Sequence, residues 1–187
     1  MKAFVRIAAL PFAALLVGAT PAAQEIPWRG GAADWVIIVP KGSPVKFNDW
    51  HEYGYARFDG RFVLTGQYAL TLTDNCERPG TEDCLVVDID PDPEIAARLP
   101  RVKNHGDVWI TISEDGRFLR SIAGPRERAK LLSGKIRSVT GRTSIVADQF
   151  SVGGDCEQVW YSARFVAFAK PPKPARTRFG GGFGCGY

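Results

Sequence analysis

The chain has 187 residues, 45% of them hydrophobic and 24% charged, which is enough for one domain with a hydrophobic core. Its formal net charge of +4 falls to +2 without Lys2 and Arg6, so the overall charge gives no ground for assigning a polyanion-binding class. Residues 24–97 carry 6 basic and 13 acidic residues, whereas residues 98–187 carry 16 basic and 7 acidic ones. Because small barrels interleave early and late strands, we expect these charges to mix on one surface.

Residues 1–23 are typical of a secretory signal peptide. Lys2 and Arg6 give a positive start, residues 7–17 form an apolar run broken only by Pro11, and small residues follow. The run is short for a membrane span, which makes an N-terminal anchor the weaker alternative. We therefore predict a mature chain of 164 residues that is periplasmic or secreted.

The segment 24–55 is predicted to be an aromatic-rich extension with one strand. Residues 35–39, WVIIV, form an apolar run rich in β-branched residues that ends at Pro40. Four aromatic residues follow: Phe47, Trp50, Tyr53 and Tyr55. Since large rings dominate core burial, we expect them to cap one end of a barrel. The alternative is that they form a surface for a ligand or another protein.

The segment 62–73, FVLTGQYALTLT, organises the predicted fold. Apolar residues at every second position alternate with smaller or more polar ones, which is the pattern of a half-buried strand. Gly66 lies in the middle of the run, and a residue without Cβ permits a sharp bend there. We predict one long, curled strand whose apolar face needs neighbouring strands to close it.

Four cysteines, Cys76, Cys84, Cys156 and Cys185, predict two disulfides in an exported chain. The spacing favours a bond between Cys76 and Cys84, because the residues between them resemble a loop that joins two strands. Cys156 and Cys185 would then form the second bond. Zinc is the weaker alternative, since the usual close spacings of zinc ligands are absent.

The rest of the chain alternates between strands and short helices. Further strands are predicted at residues 85–90, 107–113, 118–122 and 157–168. Residues 135–139 and 143–150 are predicted to form a hairpin or one bent strand. A short helix is expected to begin at Asp92 and Pro93 and to stop at Pro100, and a longer helix is expected over residues 125–132. The Pro-rich and then Gly-rich composition from residue 170 indicates an extended or flexible tail.

This order of elements predicts a mainly β fold. It is a small closed or partly closed β-barrel in which three strands, a helix and two strands follow one another, as in an OB-type barrel, with an N-terminal strand extension. A β-sandwich is the alternative. The predicted organisation is a signal peptide (1–23), the extension (24–55), the barrel domain (56–169) and the tail (170–187).

Catalytic and cofactor motifs are not evident. Four carboxylates, Asp88, Asp90, Asp92 and Glu94, could attract a hard cation, but a strand end followed by a helix start explains the same residues. His51 and His105 could act as general bases, yet no serine nucleophile motif or free thiolate is predicted beside them. Glycine patterns for nucleotides are missing as well. We therefore predict no cofactor, no metal and no catalytic residue.

Binding is the remaining class of function. In an OB-like barrel, Trp109 would point outward next to a basic region, and the candidate ligand-binding residues are Trp109, Arg117, Arg120 and Arg126. An aromatic platform with flanking cations suits an anionic polymer. We predict a non-catalytic binding or accessory module of the bacterial envelope. Its expected partner is an anionic polysaccharide, a membrane surface or an envelope protein. Nucleic acid is a less suitable partner, because the protein is predicted to be exported. The alternative is an envelope hydrolase that uses His105 or the four carboxylates.

Overall fold

The structure is a computed structural model that describes residues 23–29, 35–51, 54–73, 76–113, 116–154, 158–173 and 176–178. The strands in this part of the chain are β1 (Gln24–Pro27), β2 (Val36–Val39), β3 (Lys46–Trp50), β4 (Ala56–Asp59), β5 (Phe62–Leu72), β6 (Leu85–Pro91), β7 (Arg101–Val102), β8 (Ile110–Ser113), β9 (Ser138–Gly154), β10 (Val159–Lys170) and β11 (Arg176–Arg178). The helices are α1 (Pro93–Ala96), α2 (Arg117–Ile122) and α3 (Pro125–Leu132), and Glu82–Cys84 forms a 3₁₀ turn.

A ring of strands forms the barrel. Strand β5 pairs with β6, β6 with β8, β8 with β10, β10 with β9, and β9 returns to β5. Within this ring the β8 and β10 pair is parallel and the others are antiparallel, and α2 and α3 lie between β8 and β9 in the chain. This pairing confirms the predicted mainly β, OB-like barrel.

The predicted curled strand is confirmed as β5. Its inward residues Leu64, Tyr68 and Leu70 are at most 1% exposed, whereas the outward Val63 is 49% exposed. Gly66 faces inward opposite Pro91, and a Cβ atom at this position would overlap the carbonyl oxygen of Asp90. A side chain is therefore excluded at the bend by the backbone of β6.

The segment before residue 56 contains β1, β2 and β3 rather than the one strand predicted. Strands β1, β2 and β7 form a small separate sheet, while β3 joins the edge of the large sheet through β4. Trp28 packs edge-on against Trp35 and Trp50, and Trp35 lies against Gly154 at the end of β9. Of the four aromatic residues expected to cap the barrel, Phe47 and Trp50 pack against the core, whereas Tyr55 packs against Trp160 on the outer face. Tyr53 lies outside the described residues.

The helix α2 corrects the prediction of an extended piece over residues 118–122. Five residues are too few to separate the two periodicities, and the helix buries Phe118, Leu119 and Ile122 on one face. Phe118 stacks on Phe165 of β10, with ring centroids 5.1 Å apart, and also contacts Tyr68. Packing of these side chains inside the barrel therefore favours the helix over an extended conformation.

Other elements agree closely with the predictions. The α3 helix has the predicted bounds, and the segment predicted as a hairpin or bent strand is the single long strand β9. A disulfide joins Cys76 and Cys84, as predicted from their spacing. Cys156, Cys185 and the signal segment through residue 22 lie outside the described residues. In the part of the chain that is described, no helix has the length and apolar character needed to cross a membrane.

Candidate binding surface

The outer faces of β8 and β10 carry a candidate binding surface. Alternation directs Ile110 and Ile112 into the core, at 0% and 5% exposure, and turns their neighbours outward. Trp109, just before β8, is 43% exposed, which agrees with the predicted outward orientation. Polar and aromatic residues of adjacent strands continue this face in register.

A row of hydroxyl groups crosses the surface. Asp88 on β6 pairs with Thr111 on β8, Thr111 with Ser162 on β10, and Ser162 with Ser151 on β9. The Thr111 hydroxyl donates to Asp88 Oδ1 at 2.7 Å, and the hydroxyl oxygens of Ser151 and Ser162 are 2.6 Å apart. All of these side chains are half-buried, so the row retains access to solvent. It can therefore exchange hydrogen bonds with a polar ligand.

An aromatic row lies beside the hydroxyl row. Trp160 pairs with Gly153, and the rings of Trp160 and Tyr55 both lie where a Cβ atom on Gly153 would sit. Their ring centroids are 5.9 Å apart. Trp109 directly precedes Ile110, whose partner on the parallel strand β10 is Tyr161, so Trp109 and Trp160 stand at neighbouring positions. The three rings thus follow one line across the surface.

A groove rich in arginine lies at the other end of β8. It has a volume of about 510 Å³ and is lined by Arg61, Ser113, Arg117, Asp148, Arg164, Phe165 and Val166. Arg164 donates to Asp148 through Nε at 2.8 Å and through Nη2 at 3.0 Å. The hydrogen bond from Arg164, together with the positive charges of Arg164 and Arg61, holds the pKa of the Asp148 carboxyl below its usual value.

A β-bulge in β9 brings Asp148 onto this face. Between the pairs Asp148–Arg164 and Ser151–Ser162, β9 has two residues where β10 has one. Gln149 has a φ of 50°, which is the left-handed conformation, and Phe150 points into the core with 0% exposure. The extra residue lets Asp148 and Ser151 both point outward although they are three positions apart.

The four predicted ligand-binding residues do not form one cluster. Trp109 precedes β8 and Arg117 follows it, so they stand at opposite ends of that strand. Arg117 lines the groove with its guanidinium 5.7 Å from the centroid of the Phe165 ring. The exposed Arg120 of α2 and Arg126 of α3 are not among the lining residues. Whether any of the four residues binds a ligand stays a prediction.

The residues predicted for this surface from the sequence do not include Arg61, Arg164 and Trp160. Alternation along residues 157–168 already places Trp160 and Arg164 on the face opposite Tyr161 and Ala163. What the sequence does not give is the parallel pairing of β10 with β8, which brings Arg164 opposite Ser113. This long-range pairing creates the surface.

Three of the residues considered for metal binding or general-base catalysis make structural contacts. Asp88 accepts a hydrogen bond from Thr111, and Asp92, which begins α1, pairs with Arg142 rather than capping the helix with its side chain. Among the described residues, no group of three or more His, Cys, Asp or Glu could hold a metal ion. The ring of His105 packs on Trp35 with centroids 4.7 Å apart, and no hydrogen bond within the described segments joins this ring to a carboxylate or a hydroxyl.

The fold and this face together define a small OB-like barrel with rows of aromatic, hydroxyl and arginine side chains on its outer surface. No protein-family model matches the chain, and neither a curated protein nor a solved structure matches it.

Proposed function

We propose that this protein is a non-catalytic binding module that holds an extended polysaccharide on the outer faces of β8 and β10. The observation that carries the proposal is the register of the aromatic row, Trp109, Trp160 and Tyr55, beside the hydroxyl row of Thr111, Ser162 and Ser151. Aromatic rings offer flat apolar area to the C–H faces of sugar rings, and side-chain hydroxyls exchange hydrogen bonds with sugar hydroxyls. OB-type barrels bind oligosaccharides or oligonucleotides on the face of their second and third strands, which are β6 and β8 here, so the proposed surface shares β8 with that face.

Export favours the polysaccharide over nucleic acid. The predicted signal peptide implies a periplasmic or secreted protein, and the Cys76–Cys84 disulfide suits an oxidising compartment. Polysaccharides of the cell envelope are the polymers that such a protein meets. We therefore propose an accessory role in the bacterial envelope.

The hydrolase alternative makes a different demand on the same surface. A hydrolase of polysaccharides needs two carboxylic groups, or a nucleophile and a base, on either side of the bond that it cleaves. Of the carboxylates on this face, Asp88 is bonded to Thr111 and Asp148 to Arg164. Turnover of a bound chain that is lost in Asp88→Asn would establish the hydrolase instead.

The test is binding of purified protein to an array of neutral and acidic envelope oligosaccharides, followed by titration of the chains that bind. Stacking on an aromatic side chain contributes about 1–3 kcal/mol in single-strand binding, so we expect Trp109→Ala to weaken binding by about fivefold or more. Trp109→Phe keeps a ring and should retain most of the affinity.

Leu72→Ala is the matched control, because Leu72 is also a large apolar residue on the barrel exterior, with 41% exposure. Its affinity should equal that of the unchanged protein. Equal affinity of Trp109→Ala and the unchanged protein would contradict the proposed surface.

A further inference from the structure

We infer that the arginine groove receives a carboxylate of the bound chain, so that the ligand is an acidic, uronate-type polysaccharide. This inference rests on the proposed function, since the groove extends the same surface. The groove itself is an independent observation, because it uses residues outside the aromatic and hydroxyl rows.

Three arginines from separate parts of the chain line the groove. Arg61 precedes β5, Arg117 begins α2 and Arg164 lies on β10, and all three are exposed. Among the described residues that line the groove, Asp148 is the only acidic one, and Asp59 lines a neighbouring depression that shares Arg61, Asp148 and Arg164 with the groove. Three arginines and one carboxylate thus line the part of the groove that the structure describes.

Asp148 fixes the orientation of Arg164 and leaves part of its guanidinium available to a ligand. Its two carboxylate oxygens accept bonds from Nε and Nη2 of Arg164, which fixes the plane of that guanidinium. A guanidinium has five N–H donors, so two bonds leave three donors on Arg164 for an anion. Arginine is the side chain best suited to a planar carboxylate, because two parallel N–H groups match its two oxygens.

Phe165 holds Arg117 in place at the edge of the groove. The guanidinium of Arg117 lies over the Phe165 ring, and that ring is itself stacked on Phe118 in the core. The stacking limits the orientations of Arg117 and shields one side of its guanidinium. Phe165 is itself only 6% exposed and contacts both Phe118 and Arg117, so its role is to position the Arg117 guanidinium for a carboxylate.

The distance along β8 connects this groove with the aromatic row. Ser113 lines the groove and Trp109 stands at the opposite end of the strand, about 13 Å away at about 3.3 Å per residue. Thr111 of the hydroxyl row lies between them. An extended chain can therefore contact the aromatic rings with one sugar and the arginines with a later one.

The experiment titrates the full secreted chain with oligogalacturonate and oligomannuronate, each as the free acid and as the methyl ester. Esterification removes the negative charge and keeps the sugar. Because bonds to charged groups are stronger than neutral ones, we expect the acids to bind about tenfold or more tightly than their esters. The double variant Arg61→Gln, Arg117→Gln should bind the acids only as tightly as the unchanged protein binds the esters.

Arg137→Gln is the matched control, because Arg137 is an exposed arginine just before β9 that does not line the groove and is not one of the predicted ligand-binding residues. It should keep the full preference for the acids. Raising the salt concentration gives a second readout, since it should weaken the binding of the acids and leave that of the esters nearly unchanged. Circular dichroism of each variant confirms that it is folded.

The outcomes separate this inference from the proposed function. Equal binding of acids and esters, with both lowered by Trp109→Ala, would overturn the carboxylate site and keep the polysaccharide surface. A preference for the acids that survives in the double variant would also overturn the site. Binding of phosphatidylglycerol vesicles that needs Arg61 and Arg117, without binding of either oligosaccharide, would overturn both proposals in favour of a membrane surface.

Discussion

The inner and outer faces of the same strands differ in composition and in role. On β8 the inward Ile110 and Ile112 are almost completely buried, whereas the outward Trp109 is 43% exposed and Thr111 is hydrogen-bonded to its neighbour on β6. The interior is apolar, with Trp28, Trp35 and Trp50 packed against it, and the exterior carries hydroxyls, arginines and aromatic rings. One alternating pattern thus supplies both a core and a ligand surface.

This difference has an energetic consequence. Removing buried apolar side chains costs about 2–5 kcal/mol, while surface substitutions away from special features change stability by about 0.5 kcal/mol. The outer face can therefore vary with the ligand while the barrel stays folded. Variants at inward and outward positions should separate these two roles, as the following predictions specify.

The largest effect is expected at the inward Gly66. A methyl group added by Gly66→Ala would meet the carbonyl oxygen and carbon of Asp90 in the paired strand, and backbone atoms of a barrel cannot move away freely. We expect the free energy of unfolding to fall by about 3 kcal/mol, measured by urea denaturation. Gly106→Ala is the control, since a Cβ atom there has no neighbour within 4 Å. Equal stability of the two variants would show that the bend tolerates a side chain.

The bend at Gly66 was predictable because it depends on local pattern. Alternation along residues 62–73 identifies the strand, and a glycine within it indicates a bend. The bounds of α3 follow in the same way from Pro125 and Gly134. The sequence does not reveal α2, because five residues fit either periodicity and the contacts of Phe118 with the core decide between them.

The surface was harder to predict than the barrel. Trp109 was correctly expected to point outward, but the groove joins residues more than 100 positions apart in the chain, such as Arg61 and Arg164. Their proximity depends on the closure of the ring and on the bulge at Gln149. A single sequence offers no local signal for either feature.

An intermediate effect is expected for the outward pair of Asp148 and Arg164. The pKa of Asp148 is lower in the folded state, so the pair stabilises the fold fully above the unfolded-state pKa of about 3.9, and this contribution is lost as the pH falls through the folded-state pKa. Because Arg164 is half exposed and solvent screens the pair, we expect a contribution well below the effect of Gly66→Ala.

Denaturation of the unchanged protein, Asp148→Asn, Arg164→Gln and the double variant at pH 7 and pH 3 measures this contribution. The unchanged protein should lose more stability than Asp148→Asn when the pH is lowered, and the two substitutions should be less than additive at pH 7. Equal losses in the unchanged protein and Asp148→Asn would show that the pair does not stabilise the fold.

The smallest effect is expected where the bulge turns Asp148 outward. Gln149 adopts the left-handed conformation, which costs an L-residue about 1–2 kcal/mol, whereas glycine reaches it freely. Glycine also loses about 0.5–1 kcal/mol through its greater freedom in the unfolded chain, so Gln149→Gly should raise the free energy of unfolding by about 0.5 kcal/mol. Gln67→Gly is the matched control, because Gln67 is also an exposed glutamine and β5 pairs with both neighbours there without a register shift. It has no left-handed strain to relieve, so the same substitution should lower stability by about 0.5–1 kcal/mol. Opposite signs for the two glutamines in urea denaturation would confirm that the strain lies in the bulge, and equal signs would contradict it.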